Sequence, residues 1–252
     1  RARKPQEKIR IAYLSADFRR HAVNHFFEPL IAHHNREQFH ITCYSDTVQQ
    51  DEVTARLQGL ADHWLDCRGL DDQALAERVR EENIDVLIDL AGHTKGNRLA
   101  VLAQRPATLQ LGWLGYPAHP GLETMDAQLV SAYTVSEIKG SEAGRGLQAL
   151  PGVFACFQPP QSTPAVAQPP AVKRGFVTFG SLHRLEKINE EVVACWARLL
   201  KELPDARLLL VRDQLDPWQR RRLLGQFGAH GIGEERIELM PAHDSGGSFH
   251  EF

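Results

Sequence analysis

Apolar residues in the first half of the chain form short runs that alternate with segments of helical periodicity. The runs are rich in β-branched and aromatic residues and lie at 9–15, 39–44, 84–90 and 108–113, with a shorter candidate at 63–67. Between them, segments 24–34, 51–60 and 71–82 have helical character, and acidic residues open the last two. Strands this apolar are normally covered on both faces, so the alternation predicts a parallel sheet in a doubly wound α/β domain.

The composition changes at residues 151–170, which carry six of the chain's 14 prolines. Proline removes hydrogen-bond donors and fixes φ, so this stretch is interpreted as a connector. Beyond it, strands are predicted at 175–179, 207–211 and 236–240, and helices at 189–203 and 216–230. The expected organisation is an N-terminal Rossmann-like domain at 8–148, a proline-rich linker at 149–173 and a partial second Rossmann-like domain at 174–252. Three strands are few for a sheet, so the second domain is expected to be incomplete.

Net charge, apolar content and cysteine spacing indicate which partners and which compartment to expect. A formal net charge of -3 provides no field that would collect nucleic acid or an anionic membrane. No run of about 18 apolar residues exists, and no apolar segment follows the basic N-terminus as in a signal peptide. The four cysteines, Cys43, Cys67, Cys156 and Cys195, form no C-x-x-C pair and are interpreted as small buried residues in a reducing compartment. A cytoplasmic protein without nucleic-acid or membrane partners is expected.

Ligands of open α/β sheets bind beyond the carboxyl ends of the strands, and the loop 15–21 follows the first strand. His21 in this loop could act as a base or hydrogen-bond a substrate, because its ordinary pKa lies near neutrality. His25 lies four residues further on, a spacing that could place two zinc ligands on one helix face. No Glu follows His21 and no third ligand is evident, so a metal site is not expected. The residue pattern by itself favours histidines satisfied by the backbone at a helix start.

Two further loops follow strands of the first half. The loop 91–98 carries Gly92, His93, Thr94 and Lys95. Glycine lets backbone amides approach a ligand closely, and the lysine adds charge, although an ordinary strand-to-helix turn fits this pattern as well. In the loop 113–121, Tyr116 and Pro117 could form a wall of a sugar-sized cleft or simply pack on the surface.

The fourth loop, 180–187, lies between a strand and a helix in the second half. A helix N-terminus attracts anions, and Lys187 could supply a point charge to a pyrophosphate, although a lone lysine is usually solvated. The absence of a G-x-G-x-x-G motif argues against a standard nicotinamide domain. The chain also has no Asp-x-Asp at a strand end, the arrangement that would hold a divalent metal on a nucleotide diphosphate.

Taken in order, these loops resemble a known family. The segments are SADFRRH (15–21), IDVLIDLAGHTKGNRL (84–99), LGWLGYP (111–117) and, after the proline-rich break, FVTFGSLHRLEKI (176–188). They resemble the catalytic region of bacterial O-linked N-acetylglucosamine transferases and their SPINDLY-type relatives, glycosyltransferase family 41. The resemblance spans residues 8 to about 240, and several long motifs in a fixed order are far more specific than any one of them.

The resemblance implies a GT-B fold with two Rossmann-like domains facing a cleft. It also implies inverting, metal-independent transfer of N-acetylglucosamine from UDP-N-acetylglucosamine to Ser or Thr of a protein. The nucleotide sugar is then a substrate, and no cofactor is expected. Expected partners are a protein acceptor and the nucleotide sugar, with tetratricopeptide repeats upstream in the full-length protein.

The resemblance also suggests roles for individual residues. His21 matches the active-site histidine of the acceptor-side domain, and Lys187 matches the lysine that stabilises the leaving UDP pyrophosphate. Arg184 takes the place of an amide residue that contacts the nucleotide. The candidate donor-binding residues are Ser181, His183, Arg184 and Lys187. The candidate cleft-lining residues are His25, Gly92, His93, Thr94, Lys95, Tyr116 and Pro117.

Several positions depart from the family pattern. Ala22 stands where proline usually follows the histidine, residues 118–119 replace Gly-Thr, and residues 182–184 replace Phe-Asn-Asn. The family would continue beyond 243–248 with two strands and a Gly/Thr-rich loop that holds the nucleotide, so the chain is expected to be truncated. Two alternatives therefore stay open. One is a non-catalytic or decayed relative that binds a protein or nucleotide, and the other is a transferase for another nucleotide sugar, since plant relatives use fucose.

Overall fold

The computed structural model describes residues 7–138, 146–159, 165–212 and 215–241. The chain divides into two compact units, residues 1–159 and residues 160–252. The division falls within the range 149–173 expected as a linker. The expectation about residues 243–248 lies outside the described residues.

Unit 1 is an α/β unit with a seven-stranded sheet. Its elements are β1 (Ile9–Ser15), α1 (Asn24–Ala32), β2 (Phe39–Ser45), α2 (Glu52–Leu60), β3 (His63–Asp66), α3 (Asp72–Glu81), β4 (Val86–Asp89), α4 (Leu99–Ala103), β5 (Leu109–Gly112), β6 (Ala127–Ser131), α5 (Ala132–Ile138) and β7 (Leu147–Leu150). The strand order is β3-β2-β1-β4-β5-β6-β7, and every neighbouring pair is parallel.

The register of the central strands brings three loops to one edge of the sheet. Leu14 near the end of β1 pairs with Asp89 at the end of β4. Asp89 pairs in turn with Gly112, the last residue of β5. Parallel strands that end level with one another release their following loops at the same edge. The loops beginning at 16, 90 and 113 are therefore neighbours.

Both faces of this sheet are buried, as the apolar strands predicted. Ala12, Leu14 and Leu87 pack into one cluster with residues of α3 and α4. Tyr13 and Ile88, which point the other way, pack into a second cluster with residues of α1 and α2. Helices thus cover the sheet on both sides, which confirms the doubly wound architecture.

Acidic caps fix where two of these helices begin. The Asp51 side chain accepts the backbone amides of Val53 and Thr54 at the start of α2. Asp71 accepts the amide of Ala74 at the start of α3. Each cap satisfies amides that have no intrahelical partner, and its negative charge suits the positive end of the helix.

Unit 2 repeats the alternation with a smaller sheet. Its elements are α6 (Pro170–Arg174), β8 (Thr178–Ser181), a 3₁₀ turn (Leu185–Lys187), α7 (Glu190–Glu202), β9 (Arg207–Val211), α8 (Pro217–Ala229), a 3₁₀ turn (Glu234–Arg236) and β10 (Ile237–Met240). The three strands are parallel in the order β10-β9-β8. Their apolar side chains pack with Val193, Leu200, Leu223 and Phe227 of α7 and α8.

Several details differ from the sequence-based expectation. Strand β8 begins three residues later and ends two residues later than the predicted strand 175–179. The elements α4, β6, α5, β7 and α6 were not predicted. Cys43 and Cys67 are buried as expected, whereas Cys156 and Cys195 are exposed, so the prediction of four buried cysteines is wrong. None of the described helices is long and apolar enough to cross a membrane.

Candidate functional site

The loop after β1 is held rigidly by polar contacts to its neighbours. The Ser15 hydroxyl accepts the amide of Asp17 at 3.0 Å. Phe18 is fully buried, its amide donates to the Thr47 hydroxyl at 3.1 Å, and its carbonyl accepts the Thr54 hydroxyl at 2.7 Å. Contacts to Thr47, just after β2, and to Thr54 of α2 therefore hold the loop at Phe18.

His21 lies at the end of this loop, before α1 begins at Asn24. Its Nδ1 accepts the backbone amide of Val23 at 3.3 Å, and its Nε2 lies 3.8 Å from a carboxylate oxygen of Asp17. Because Nδ1 is an acceptor, the neutral ring carries its proton on Nε2. The side chain is 37% exposed, so the nitrogen available to a substrate is a hydrogen-bond donor when the ring is neutral.

The second histidine does not share a helix face with the first. Since His21 precedes α1 and His25 lies in its first turn, the spacing does not create a zinc pair. The carbonyl of His25 lacks its usual helical partner because Pro29 has no N–H, and it accepts the amide of Gln158 at 3.5 Å instead. The His25 ring lies 6.4 Å from the Phe157 ring. His25 therefore meets the segment that follows β7.

A buried carboxylate organises the loop after β4. Asp89 is 1% exposed, and its two oxygens accept the amides of Ala91 at 3.2 Å and Gly92 at 2.6 Å. Burial raises the pKa of Asp89 to about 6, although these amides and the nearby His93 oppose the rise. The carboxylate turns the chain sharply at the sheet edge.

Glycines allow the three loops of unit 1 to touch. Gly92 has φ +54°, and a Cβ there would overlap the side chain of Tyr116 from the loop after β5. A Cβ at Gly96 would lie 2.8 Å from the Ala16 Cβ of the loop after β1, and one at Gly115 would overlap the Leu90 carbonyl. The loops are thus in van der Waals contact along one edge, which only glycine at these positions permits.

The remaining candidates in these loops are presented at the surface. His93 is exposed, its Nε2 donates to the Pro120 carbonyl at 2.8 Å, and its ring packs edge-on against Tyr116 with centroids 5.3 Å apart. The Thr94 hydroxyl donates back to the Ala91 carbonyl at 2.7 Å. Lys95 is exposed, and within the described part of the chain its ammonium has no partner. Pro117 is exposed beside Tyr116.

In unit 2, the loop after β8 combines a buried hydroxyl with exposed cations. The Ser181 hydroxyl lies 3.4 Å from both the amide and the Nδ1 of His183. Arg184 and Lys187 are exposed, and no described residue pairs with either side chain. Lys187 ends the 3₁₀ turn before α7 and is not in the helix itself.

The N-terminus of α7 is already compensated. The Asn189 side chain accepts the amide of Val192 at 2.9 Å, and Glu190 and Glu191 occupy the first turn. These groups offset the positive end of the helix dipole. Attraction for an anion in this loop therefore rests on the side chains of Arg184 and Lys187 rather than on the helix.

The sequence analysis missed residues whose side chains hold the candidate loops in place. Asn24 is buried, and its side-chain amide donates to the carbonyls of Asp17 and Arg19. Arg98 bridges Asp46 at 3.2 Å and Asp72 at 2.7 Å at the end of the Gly92 loop. Asp89 could have been found from the sequence, because an acidic residue inside an otherwise apolar strand requires a specific partner. Asn24 looked like an ordinary helix-start residue, and Arg98 was noted only as the last residue of the loop 91–98.

Among the residues that the structure describes, no group of three His, Cys, Asp or Glu side chains is placed to hold a metal ion. His21 and Asp17 form a pair without a third ligand.

The two parallel α/β sheets, each with polar loops at its carboxyl edge, fit the GT-B type of glycosyltransferase fold. The family model for glycosyl transferase family 41 matches residues 1–145. The chain therefore belongs to glycosyl transferase family 41.

Similar proteins agree with this assignment. The chain is 34% identical over 245 residues to the probable UDP-N-acetylglucosamine–peptide N-acetylglucosaminyltransferase SPINDLY of Arabidopsis thaliana, covering 94% of this chain and 26% of that protein. A Caenorhabditis elegans UDP-N-acetylglucosamine–peptide N-acetylglucosaminyltransferase is 32% identical over 134 residues, which is 51% of this chain and 11% of that protein. The chain thus spans about a quarter of the length of the SPINDLY relatives it matches.

Two solved structures resemble this chain to different degrees. The O-GlcNAc transferase of Thermobaculum terrenum, solved as a mutant, superposes with a TM-score of 0.86 at 34% identity, covering 94% of this chain and 45% of that chain. A lipopolysaccharide outer core galactosyltransferase, WaaB, shares the fold at 12% identity with a TM-score of 0.54.

Proposed function

We propose that the protein carrying this chain transfers N-acetylglucosamine from UDP-N-acetylglucosamine to Ser or Thr hydroxyls of proteins. The observation that carries this proposal is the contact of the His21, Gly92 and Tyr116 loops at one sheet edge in a member of family 41. Relatives of this chain are named as UDP-N-acetylglucosamine–peptide transferases. A protein acceptor and a nucleotide-sugar donor are the partners that this activity requires.

In unit 1, we assign His21 the task of hydrogen-bonding a substrate oxygen through Nε2. The Val23 amide occupies Nδ1, and Asp17 lies on the Nε2 side, so the ring is oriented before any substrate binds. Orientation by fixed neighbours lowers the cost of reaching the reactive geometry. His25, His93, Thr94, Lys95, Tyr116 and Pro117 are proposed to line the surface around it.

In unit 2, we assign the donor diphosphate to the loop after β8. Negative charge develops on the leaving UDP during transfer, and a fixed cation stabilises that charge most where it develops. Lys187 is exposed without a described partner, and the glutamates of α7 prevent the helix dipole from doing the same work. Ser181, His183 and Arg184 are proposed to contact the nucleotide.

Further parts of the proposal come from family membership. We propose an inverting reaction in which the donor is a substrate and no cofactor takes part, a cytoplasmic location, and tetratricopeptide repeats upstream in the full-length protein. Metal independence belongs to the same proposal, supported by the missing Asp-x-Asp in the sequence.

Residues 182–184 depart from the family pattern, which favours a binding module or a different donor as the second candidate. The protein encoded by the complete reading frame would be tested for binding of UDP-N-acetylglucosamine and of GDP-fucose by calorimetry, and for transfer from each to an acceptor protein. Transfer from the UDP donor supports the proposal. Binding without transfer would make the protein a binding module, and transfer from GDP-fucose alone would change the donor.

A further inference from the structure

A cavity of about 680 Å³ opens at the edge of the unit 1 sheet opposite to the His21 loop. Its lining includes Glu7, Lys8, Arg10, His40, Arg80 and Asp85. These residues surround the starts of β1, β2 and β4, whereas His21, Gly92 and Tyr116 follow strand ends. The cavity is therefore separate from the candidate active site, and nothing proposed above makes use of it.

The lining is rich in cations. Lys8, Arg10 and Arg80 contribute three positive charges against the two carboxylates of Glu7 and Asp85. The Asp85 carboxylate accepts the backbone amide of Arg10 at 2.8 Å, so it helps to fix the start of β1. The fixed charges leave a net positive cavity before His40 is counted.

Within the described part of the chain, two polar atoms of residues that line the cavity are buried and have no hydrogen-bond partner. They are Nε of Arg10 and Nδ1 of His40. Arg10 and His40 are register partners on the adjacent strands β1 and β2, so their side chains lie next to each other on one face. A buried guanidinium N–H without an acceptor is costly, and an ion or an ordered water is one of the explanations for such a group in a native protein.

We propose that this cavity binds the phosphate group of a small phosphomonoester. Arg10 lines the cavity, and Arg80 and Lys8 add positive charge at its rim. Arginine is suited to phosphate because its donors match the phosphate oxygens, and these charge-assisted bonds are stronger than neutral ones. The volume exceeds that of a phosphate ion, which leaves room for the attached organic group.

The titration of His40 supports a positive field in the cavity. Burial lowers the pKa of His40, and Arg10, His63 and Lys8 lower it further, while Asp62 acts in the opposite direction. A bound phosphate would face this ring and favour its charged form. The pKa of His40 should therefore rise when the cavity is filled.

The test measures binding of inorganic phosphate and of O-phosphoserine to the 252-residue chain by calorimetry, at constant ionic strength set with chloride. The double variant Lys8→Gln/Arg80→Gln changes only exposed rim residues, so the fold should be retained. We expect it to weaken O-phosphoserine binding about tenfold or more. The matched control is Lys201→Gln, an exposed lysine of α7, which should leave the affinity unchanged.

A third variant, Lys187→Gln, separates this site from the nucleotide loop. If only Lys187→Gln weakens binding, the phosphate occupies the nucleotide loop and the proposal is wrong. Unchanged affinity in the double variant would also overturn it. Tighter binding of O-phosphoserine than of inorganic phosphate identifies a phosphomonoester, and equal binding identifies free phosphate as the ligand. Absence of sugar transfer would not affect either interpretation, because the cavity and the His21 loop lie at opposite edges of the unit 1 sheet.

As a second readout, the ring signals of His40 in the NMR spectrum should report a higher pKa in the presence of O-phosphoserine. This increase should be lost in the double variant and kept in Lys201→Gln. A His40 pKa that does not respond to O-phosphoserine in the unmodified chain would contradict binding in this cavity.

Discussion

The carboxylate of Asp89 accepts the backbone amide of Gly92 at 2.6 Å while it is almost completely buried. This contact turns the chain at the end of β4 and directs the Gly92 loop towards Tyr116. A buried charge is costly, and its retention here is explained by the two amides that it receives. The loop geometry therefore depends on a group that titrates within an accessible pH range.

The first prediction concerns the pH dependence of stability. The pKa of Asp89 is raised to about 6 in the folded protein, so the protonated side chain stabilises the fold. This contribution to the free energy of unfolding is fully present below about pH 4 and is lost as the pH rises through 6. The total change is about 3 kcal/mol. Denaturant unfolding measures the free energy of unfolding of the unmodified chain and of Asp89→Asn. Between pH 4 and 6, this free energy should fall in the unmodified chain relative to the variant. A pH-independent difference would contradict the role of Asp89.

The second prediction concerns the contact between the Gly92 and Tyr116 loops. Gly92→Ala should destabilise the chain by more than the roughly 1–2 kcal/mol that a left-handed alanine costs, because its Cβ overlaps Tyr116. Gly121→Ala is the matched control, since Gly121 has φ +84° and open space around it. Thermal unfolding of both variants measures the difference. Equal losses would mean that the two loops are not packed as described.

The third prediction concerns the orientation of His21. Gln can place an N–H close to the position of Nε2, whereas Asn reaches only the position of Nδ1. In the full-length protein, His21→Gln should therefore keep more kcat/KM than His21→Asn, and His21→Ala should lose about 100-fold or more. If His21→Gln were as inactive as His21→Ala, a hydrogen-bonding role would be insufficient, and the ring would have to exchange a proton.

Much of the fold was visible in the sequence because its central strands are short and apolar. β1 and β9 occur at the predicted residues, and the helices after β1, β2 and β3 were found from their apolar stripes and acidic openings. The strands β6 and β7 escaped because they are partly exposed and lack a continuous apolar run. The start of β8 was placed too early because three residues were taken into the strand: Gly175, the left-handed residue that ends α6, and the apolar residues Phe176 and Val177.

For the candidate site, the sequence predicted only that each of its loops follows a strand. Which loops touch depends on strand order and register, and neither can be obtained from a loop's own residues. The contact of Gly92 with Tyr116 requires β4 and β5 to be neighbours that end level with each other. The tautomer of His21 depends on the amide of Val23, which is a backbone group with no sequence signature.

The fourth prediction concerns the two cations of the loop after β8. In the full-length protein, Lys187→Ala should lower kcat much more than it weakens UDP binding, with a loss of about 3–4 kcal/mol, on the order of 100- to 1000-fold. Lys187→Arg should recover only part of this loss, because a planar fork differs from a compact ammonium. Arg184→Ala should mainly weaken nucleotide binding. Steady-state kinetics and UDP calorimetry of the single variants measure both effects. If Arg184 rather than Lys187 stabilises the developing charge, Arg184→Ala should lose kcat and Lys187→Ala should mainly weaken UDP binding.

The most direct test of the proposed function is mass spectrometry of an acceptor protein incubated with the full-length enzyme and UDP-N-acetylglucosamine. We expect the mass of one N-acetylhexosamine to be added at Ser or Thr, and this product should be strongly reduced in Lys187→Ala while it persists in the surface control Lys201→Gln. No modified Ser or Thr under conditions where UDP binds the protein would contradict the assignment of a protein N-acetylglucosaminyltransferase.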